Sequence, residues 1–94
     1  MNIVQYSLQV KGNFSQKGFG FTCMQLAYKN NMAGSLFYES GESVILEISG
    51  DEEDLLNVIN QCKTQSYINE IFILNKTKTQ SKLTDFIMLN QIDQ

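Results

Sequence analysis

Two segments of this chain alternate apolar and polar residues, and each is followed by residues with a helical spacing. Apolar residues occupy every second position from Val4 to Val10, and again from Val44 to Ile48. A period of two is typical of a strand that buries one face and exposes the other. Because each apolar face must be covered, the pattern favours a sheet with helices on one side.

Helices are predicted after both strands. Apolar residues at three- and four-residue intervals predict a first helix over about residues 20–31, ended by Asn30 and Asn31: Phe19, Cys23, Leu26 and Ala27. The second helix is predicted to begin at Asp51, an N-cap followed by three acidic residues that suit the positive end of the helix dipole. Its buried stripe is predicted to be Leu55, Val58, Ile59 and Cys62.

The remaining segments complete an alternating order of elements. A short strand over Leu36–Glu39 is predicted to meet a hairpin turn at 40–42, Ile71–Leu74 is predicted as a strand apolar on both faces, and Phe86–Leu89 as a final short strand. A polar segment, 75–82, separates the last two. The order predicts one α+β domain over residues 1–94, the ferredoxin-like βαββαβ arrangement with two helices on one face of an antiparallel sheet.

Composition excludes several classes of protein. The chain has no histidine, which removes the commonest general base and metal ligand. Its net charge of -3 has the wrong sign for a nucleic-acid-binding protein. Neither a signal peptide nor an apolar run long enough to span a membrane is recognised, so a soluble cytoplasmic protein without a membrane partner is expected.

No metal or cofactor is predicted. The acidic run 51–54 could supply carboxylate ligands, but consecutive helical positions point in different directions, so a helix start is the favoured interpretation. Cys23 and Cys62 are too few for a disulfide scaffold or a four-ligand zinc site. Both are predicted to be buried free thiols.

One short motif points to RNA binding. Residues 17–21 spell K-G-F-G-F, which matches the base-stacking motif of RRM and cold-shock domains. In an RRM the motif lies on the third strand, yet only sixteen residues precede Lys17. A cold-shock domain needs another aromatic strand soon afterwards, where this chain has a helical pattern. The context and the acidic charge therefore disfavour RNA as a partner.

A wider set of residues resembles the acylphosphatase family. That family carries V-x-G-x-V-Q-G-V-x-F-R, then Ala seven residues after the Arg, then G-x-V-x-N. The chain matches this spacing without a gap, with Phe14 and Leu36 each in the place of a Val: Val10, Gly12, Phe14, Phe19, Ala27, Gly34 and Leu36. Farther on, Val44, Leu46 and Gly50 resemble the family pattern V-x-I-x-x-x-G. Phe86–Met88 resembles the F-x-I strand that closes the family's chain. The resemblance implies the same fold.

The resemblance also implies a chemistry. Acylphosphatases hydrolyse acyl phosphates without a metal or a covalent intermediate. Backbone N–H groups of the loop after the first strand hold the phosphate, an Arg at the helix start grips its oxygens, and an Asn on the second strand orients water. Here Gly20 stands at the Arg position and Tyr38 at the Asn position. The anion-binding loop would be Ser15, Gln16, Lys17, Gly18, Phe19 and Gly20.

Neither alignment of the loop supplies the missing arginine. Matching Phe21 to the family Phe would put Thr22 at the Arg position but would break the spacing to Ala27 and Gly34. Lys17 could return a positive charge, although a lysine lacks the planar fork of arginine, or it is an ordinary solvated lysine. Tyr38 could offer a hydroxyl, or it packs in the core.

The favoured hypothesis is an acylphosphatase-like protein whose hydrolase activity is lost or much reduced and whose loop could still bind a small phosphate-bearing or other anionic ligand. Two alternatives stay open. One is an active acylphosphatase with a rewired site that uses Lys17. The other is a protein-interaction or regulatory module that uses its sheet edge. The sequence names no protein partner.

Overall fold

The computed structural model describes residues 3–15, 17–78 and 86–89, which form a sheet with two helices. The elements in chain order are β1 (Ile3–Gly12), α1 (Phe19–Lys29), β2 (Ala33–Ser40), β3 (Ser43–Asp51), α2 (Glu52–Lys63), β4 (Ile68–Lys78) and β5 (Phe86–Leu89). Across the sheet the order is β4-β1-β3-β2-β5. The first four strands pair antiparallel, and β5 pairs parallel to β2. The predicted ferredoxin-like α+β fold is confirmed.

The core lies between one face of this sheet and the two helices. The alternating residues of β1 and β3 are buried on that face and lie opposite one another, with Leu8 facing Leu46 and Val10 facing Val44. The predicted stripe of α2 is buried against them. The predicted stripe of α1 is buried as well, except that Leu26 is only half-buried at its margin. Burial of these side chains contributes most of the favourable free energy of folding, at about 25 cal/mol per Å² of apolar surface.

The first helix ends earlier than predicted because its C-terminus is closed by asparagine. The backbone N–H and the side-chain amide of Asn30 both donate to the Leu26 carbonyl. Asn31 then takes a positive φ of 57°, a left-handed conformation that asparagine tolerates well. The chain therefore leaves α1 after Lys29, and β2 begins at Ala33, three residues before the predicted start at Leu36.

The prediction for Ile71–Leu74 was wrong in length and in burial. The strand extends over Ile68–Lys78, so residues 75–78 of the predicted polar segment belong to it, while residues 79–82 lie outside the described part. Phe72, Ile73 and Leu74 are 42%, 57% and 54% exposed. The reason is topological, because β4 is an edge of the described sheet and has a strand neighbour on one side.

The start of α2 is fixed by two sets of contacts. The Tyr6 hydroxyl donates to Glu52 Oε2 over 3.1 Å, and Lys76 Nζ lies 2.8 Å from the same oxygen. Lys76 Nζ is also 5.5 Å from the centroid of the Tyr6 ring. Lys76, followed by the Tyr6 hydroxyl, lowers the pKa of Glu52. The cluster joins β1, α2 and β4 at one end of the molecule.

Asp51→Ala should destabilise the protein because it removes the N-cap hydrogen bond at the start of α2. Asp51 Oδ1 accepts a hydrogen bond from the Glu53 N–H over 3.1 Å, as the sequence predicts for an N-cap. Removal of such a cap costs about 1 kcal/mol, which a urea titration can resolve. Asp51→Asn keeps an accepting oxygen and should stay close to the unmodified protein. An alanine variant as stable as the asparagine variant would contradict the cap.

Candidate functional site

The loop after β1 is held in place by two neighbouring segments. The Phe14 N–H donates to the Gly41 carbonyl in the β2–β3 turn over 2.9 Å. The Asn13 N–H donates to the Tyr67 carbonyl, just before β4, over 3.0 Å. The Phe14 side chain is fully buried beneath the loop. The loop thus sits on the end of the sheet, where the predicted anion site would lie.

Several N–H groups of the predicted anion-binding loop donate within the protein. The Ser15 N–H donates to Asn13 Oδ1 over 3.3 Å, and the Lys17 N–H donates to the Phe14 carbonyl over 3.3 Å. Both side chains are exposed, whereas Gln16 lies outside the described residues. Gly18 takes a left-handed φ of 64° as the N-cap of α1. These bonds fold the loop upon itself.

The two positions that the resemblance singled out are in direct contact. The Gly20 N–H, in the first turn of α1, donates to the Tyr38 hydroxyl oxygen over 2.9 Å. Both residues are buried, and the Tyr38 side chain crosses from β2 to the helix start. The first N–H groups of a helix have no partner within the helix, so a side chain that accepts from one of them stabilises the helix end. Tyr38 therefore packs in the core and also uses its hydroxyl.

Aromatic rings surround this hydrogen bond. Phe14 and Phe19 have ring centroids 5.0 Å apart, and Phe14 meets Tyr38 edge-on at 6.2 Å. Tyr67 contacts both phenylalanines edge-on, at 6.3 and 6.1 Å. Burial raises the pKa of Tyr67 above its ordinary value. The cluster places apolar rings next to the first turn of α1, a setting in which an unpaired anion would be costly.

Tyr67 was not among the residues predicted for the site. Its ring completes the aromatic cluster and its carbonyl accepts from the loop, yet it lies in a stretch without a clear period before β4. Gly12 gives an indirect signal, because a Cβ there would overlap the Tyr67 carbonyl oxygen. The glycine that the resemblance marked thus lets this carbonyl approach β1.

Positive charge is scarce at the site. All seven basic residues of the chain are lysines. Within the described part of the loop, Lys17 is the one cation, and its side chain is exposed. Among the described residues no group of three or more His, Cys, Asp and Glu could hold a metal ion.

The two cysteines lie next to each other, one on each helix. Both are free and buried, as predicted, with Cys23 on α1 and Cys62 on α2. Burial, with the neighbouring thiol of Cys62, raises the pKa of Cys23 well above its usual value. A thiol of raised pKa is a poor nucleophile.

Neither of the two described helices has the length and the apolar run that a membrane span requires.

The family model for acylphosphatase matches residues 6–88 of the chain. Among solved structures, the acylphosphatase of Bacillus subtilis is 20% identical, with a TM-score of 0.80 over 92% of this chain and 98% of that one. An acylphosphatase from Coxiella burnetii is 15% identical, with a TM-score of 0.76 over 94% of each chain.

The same fold also occurs within a longer chain. BlrP1 of Klebsiella pneumoniae, solved as a calcium and cyclic di-GMP complex, is 10% identical, with a TM-score of 0.76 over 94% of this chain and 24% of that one. A comparison with curated protein sequences finds no match. Likenesses at these identities establish the shared fold, and the site must be judged on its own residues.

Proposed function

The chain belongs to the acylphosphatase family, and we propose that it is a member in which acyl-phosphate hydrolysis is lost or much reduced. The observation that carries the proposal is the hydrogen bond from the Gly20 N–H to the Tyr38 hydroxyl. It joins the two positions where the family has its arginine and its asparagine. In this chain the residues at both positions are buried and bind each other.

The chemistry explains why this arrangement is poor for catalysis. Phosphoryl oxygens need a charge-assisted donor, and loss of one typically removes about 1.5–3 kcal/mol of binding. Loss of a preorganised polar group that acts on the transition state costs on the order of a hundredfold to a thousandfold in rate. Here no arginine exists in the chain, the residue at the asparagine position is a buried tyrosine, and one helix N–H is already used.

Residual binding of a small anion at the loop is the second part of the proposal. Lys17 is exposed beside the loop and supplies a point charge. The Ser15 and Lys17 N–H groups donate within the loop, so an anion would have to compete with those bonds. We therefore expect phosphate to bind weakly, and titration with inorganic phosphate followed by amide NMR shifts over residues 15–20 would test it.

A benzoyl phosphate assay tests the loss of hydrolysis. The unmodified protein should show little turnover above the uncatalysed rate. A Gly20→Arg/Tyr38→Asn double variant restores both family residues and should be faster by about a hundredfold or more, if it folds as judged by circular dichroism. Each single variant should stay slow, because the other group is still missing. Turnover by the unmodified protein at ordinary enzyme rates, around ten per second, would defeat the proposal.

A lysine variant separates this proposal from a rewired enzyme. If Lys17 and the loop amides formed a working site, Lys17→Ala would abolish whatever activity the protein has. Lys29→Ala is the matched control, because Lys29 lies in the last turn of α1, away from the loop. We expect both variants to match the unmodified protein. Selective loss of activity in Lys17→Ala would favour the rewired site.

A further inference from the structure

The two thiols of the core face each other across the two helices. Cys23 on α1 is 2% exposed, and Cys62 on α2 is 1% exposed. Their sulfur atoms are in hydrogen-bond contact, with Cys23 donating to Cys62. The proposed function uses neither thiol. We infer that Cys23 and Cys62 are a redox modification site, which hydrogen peroxide converts to a disulfide between α1 and α2.

The packing of the two helices suits this bond. α1 and α2 contact each other and share one core. Packed helices generally have axes about 8–10 Å apart, and each Cα lies about 2.3 Å from its helix axis. Two residues that face each other thus have Cα atoms about 4–5 Å apart, which overlaps the span of about 4.4–6.8 Å that disulfides require. Because the thiols already touch, rotation of the side chains brings the sulfur atoms to bonding distance.

The two thiols differ in reactivity. Burial raises the pKa of Cys23, which therefore stays a protonated donor. The hydrogen bond from Cys23 lowers the pKa of Cys62. Because the thiolate is the nucleophile, Cys62 is the sulfur that reacts first with the peroxide. Cys23 is then the thiol that completes the disulfide.

The reaction with hydrogen peroxide balances in two steps. The Cys62 thiolate attacks one peroxide oxygen, the O–O bond breaks, and the departing hydroxide takes up the proton of the Cys62 thiol and leaves as water. The Cys23 sulfur then attacks the sulfenic acid formed on Cys62. The S–S bond forms, the S–O bond breaks, and a second water leaves with the Cys23 proton. The two thiols together lose two electrons, which reduce one peroxide to two waters.

The last turn of α2 gives the oxidant its access to Cys62. The helix ends at Lys63, directly after Cys62. The bonds that close this end are local, since the Thr64 N–H and the Thr64 hydroxyl both donate to the Gln61 carbonyl, over 3.2 and 2.6 Å. Helix ends open at a lower free energy than the packed core, and hydrogen peroxide is small and uncharged. We therefore expect a slow reaction that is limited by this opening.

A bond between α1 and α2 should stabilise the fold. It closes a loop of about 40 residues that contains β2 and β3, which lowers the entropy of the unfolded chain. For a domain of this size the melting temperature should rise by about 10–20 °C. Gly20 lies three residues before Cys23, in the first turn of α1, so exchange of the Gly20 amide with solvent should slow as well.

Peptide mapping of the unmodified chain tests the inference directly. Trypsin cuts after lysine, so Cys23 falls in the peptide between Lys17 and Lys29, and Cys62 in the peptide between Lys29 and Lys63. After peroxide treatment of the folded protein and alkylation of free thiols, we expect a monomer in which these peptides are joined until dithiothreitol separates them. Thiols that stay free under a treatment that oxidises the urea-unfolded chain, sulfinic acid on separate peptides, or a bond between two chains would each overturn the inference.

Single-cysteine variants test the cross-link through stability. Peroxide should raise the melting temperature of the unmodified protein and leave those of Cys23→Ala and Cys62→Ala unchanged, because neither variant can close the loop. Each protein is compared with its own untreated form, so the cost of truncating a core side chain cancels. A melting temperature that rises equally in the variants, or that does not rise in the oxidised unmodified protein, would contradict a disulfide between the helices.

Discussion

Gly34→Ala is expected to abolish stable folding. Gly34 lies in β2 with a φ of 155°, a conformation that L side chains rarely adopt. A Cβ at this position would overlap the carbonyl oxygen of Glu47 on the neighbouring strand, and that oxygen belongs to the backbone, so it cannot rotate away. β2 and β3 would have to separate. We expect a loss of about 4 kcal/mol or more, a large part of the stability of a domain of this size.

Far-UV circular dichroism and urea unfolding would measure the loss. Gly41→Ala is the matched control, because a Cβ at Gly41 would meet no atom within 4 Å. That variant should unfold within about 0.5 kcal/mol of the unmodified protein. A Gly34→Ala protein that unfolds at the same urea concentration as Gly41→Ala would show that β2 and β3 do not approach as closely as described.

Removing the Tyr38 hydroxyl is the second change with a large expected effect. Tyr38→Phe keeps the ring but leaves the buried Gly20 N–H without its partner, at a cost of about 1–3 kcal/mol. Tyr38→Ala also removes the ring from the aromatic cluster, and truncation of a buried aromatic typically costs roughly 3–5 kcal/mol. Thermal unfolding should therefore rank the two variants, with alanine the less stable.

Hydrogen exchange at a single amide tests the cause of the effect. In Tyr38→Phe the Gly20 amide should exchange faster than in the unmodified protein, while the amides of α2 keep their protection apart from the overall loss of stability. Tyr28→Phe, at an exposed position of α1, should change neither stability nor exchange. A Tyr38→Phe variant with unchanged stability and unchanged Gly20 exchange would refute the structural role of the hydroxyl.

The sequence predicted the fold well wherever burial was one-sided. In β1, β3 and α2 the apolar residues occupy one face, and that face has to point toward the core. Their burial could therefore be inferred from the spacing of the apolar residues. The Asp51 cap was predictable because it depends on residues two apart. β4 was predicted poorly because a continuous apolar run looks the same in a central strand and in an edge strand. Its exposure is decided by the order of strands across the sheet.

The candidate site could be predicted only in part. The spacing of glycine and phenylalanine indicated where Gly20 and Tyr38 lie relative to the family pattern, but it could not show that they touch. They are 18 residues apart, and their contact depends on the packing of α1 against β2. The part played by Tyr67 was likewise hidden, because its carbonyl is marked in the sequence only indirectly, by the glycine at position 12.

The bond between Gly20 and Tyr38 has an evolutionary consequence. A lineage that gained arginine at residue 20 first would still have the tyrosine where the amide is needed. A lineage that gained asparagine at residue 38 first would lose a core ring and its hydroxyl while gaining no guanidinium. Under the proposed function, either first step would leave one of the two groups missing, and the second would also lower stability. Residues 20 and 38 are therefore coupled through this bond, so that a change at one position alters the surroundings of the other.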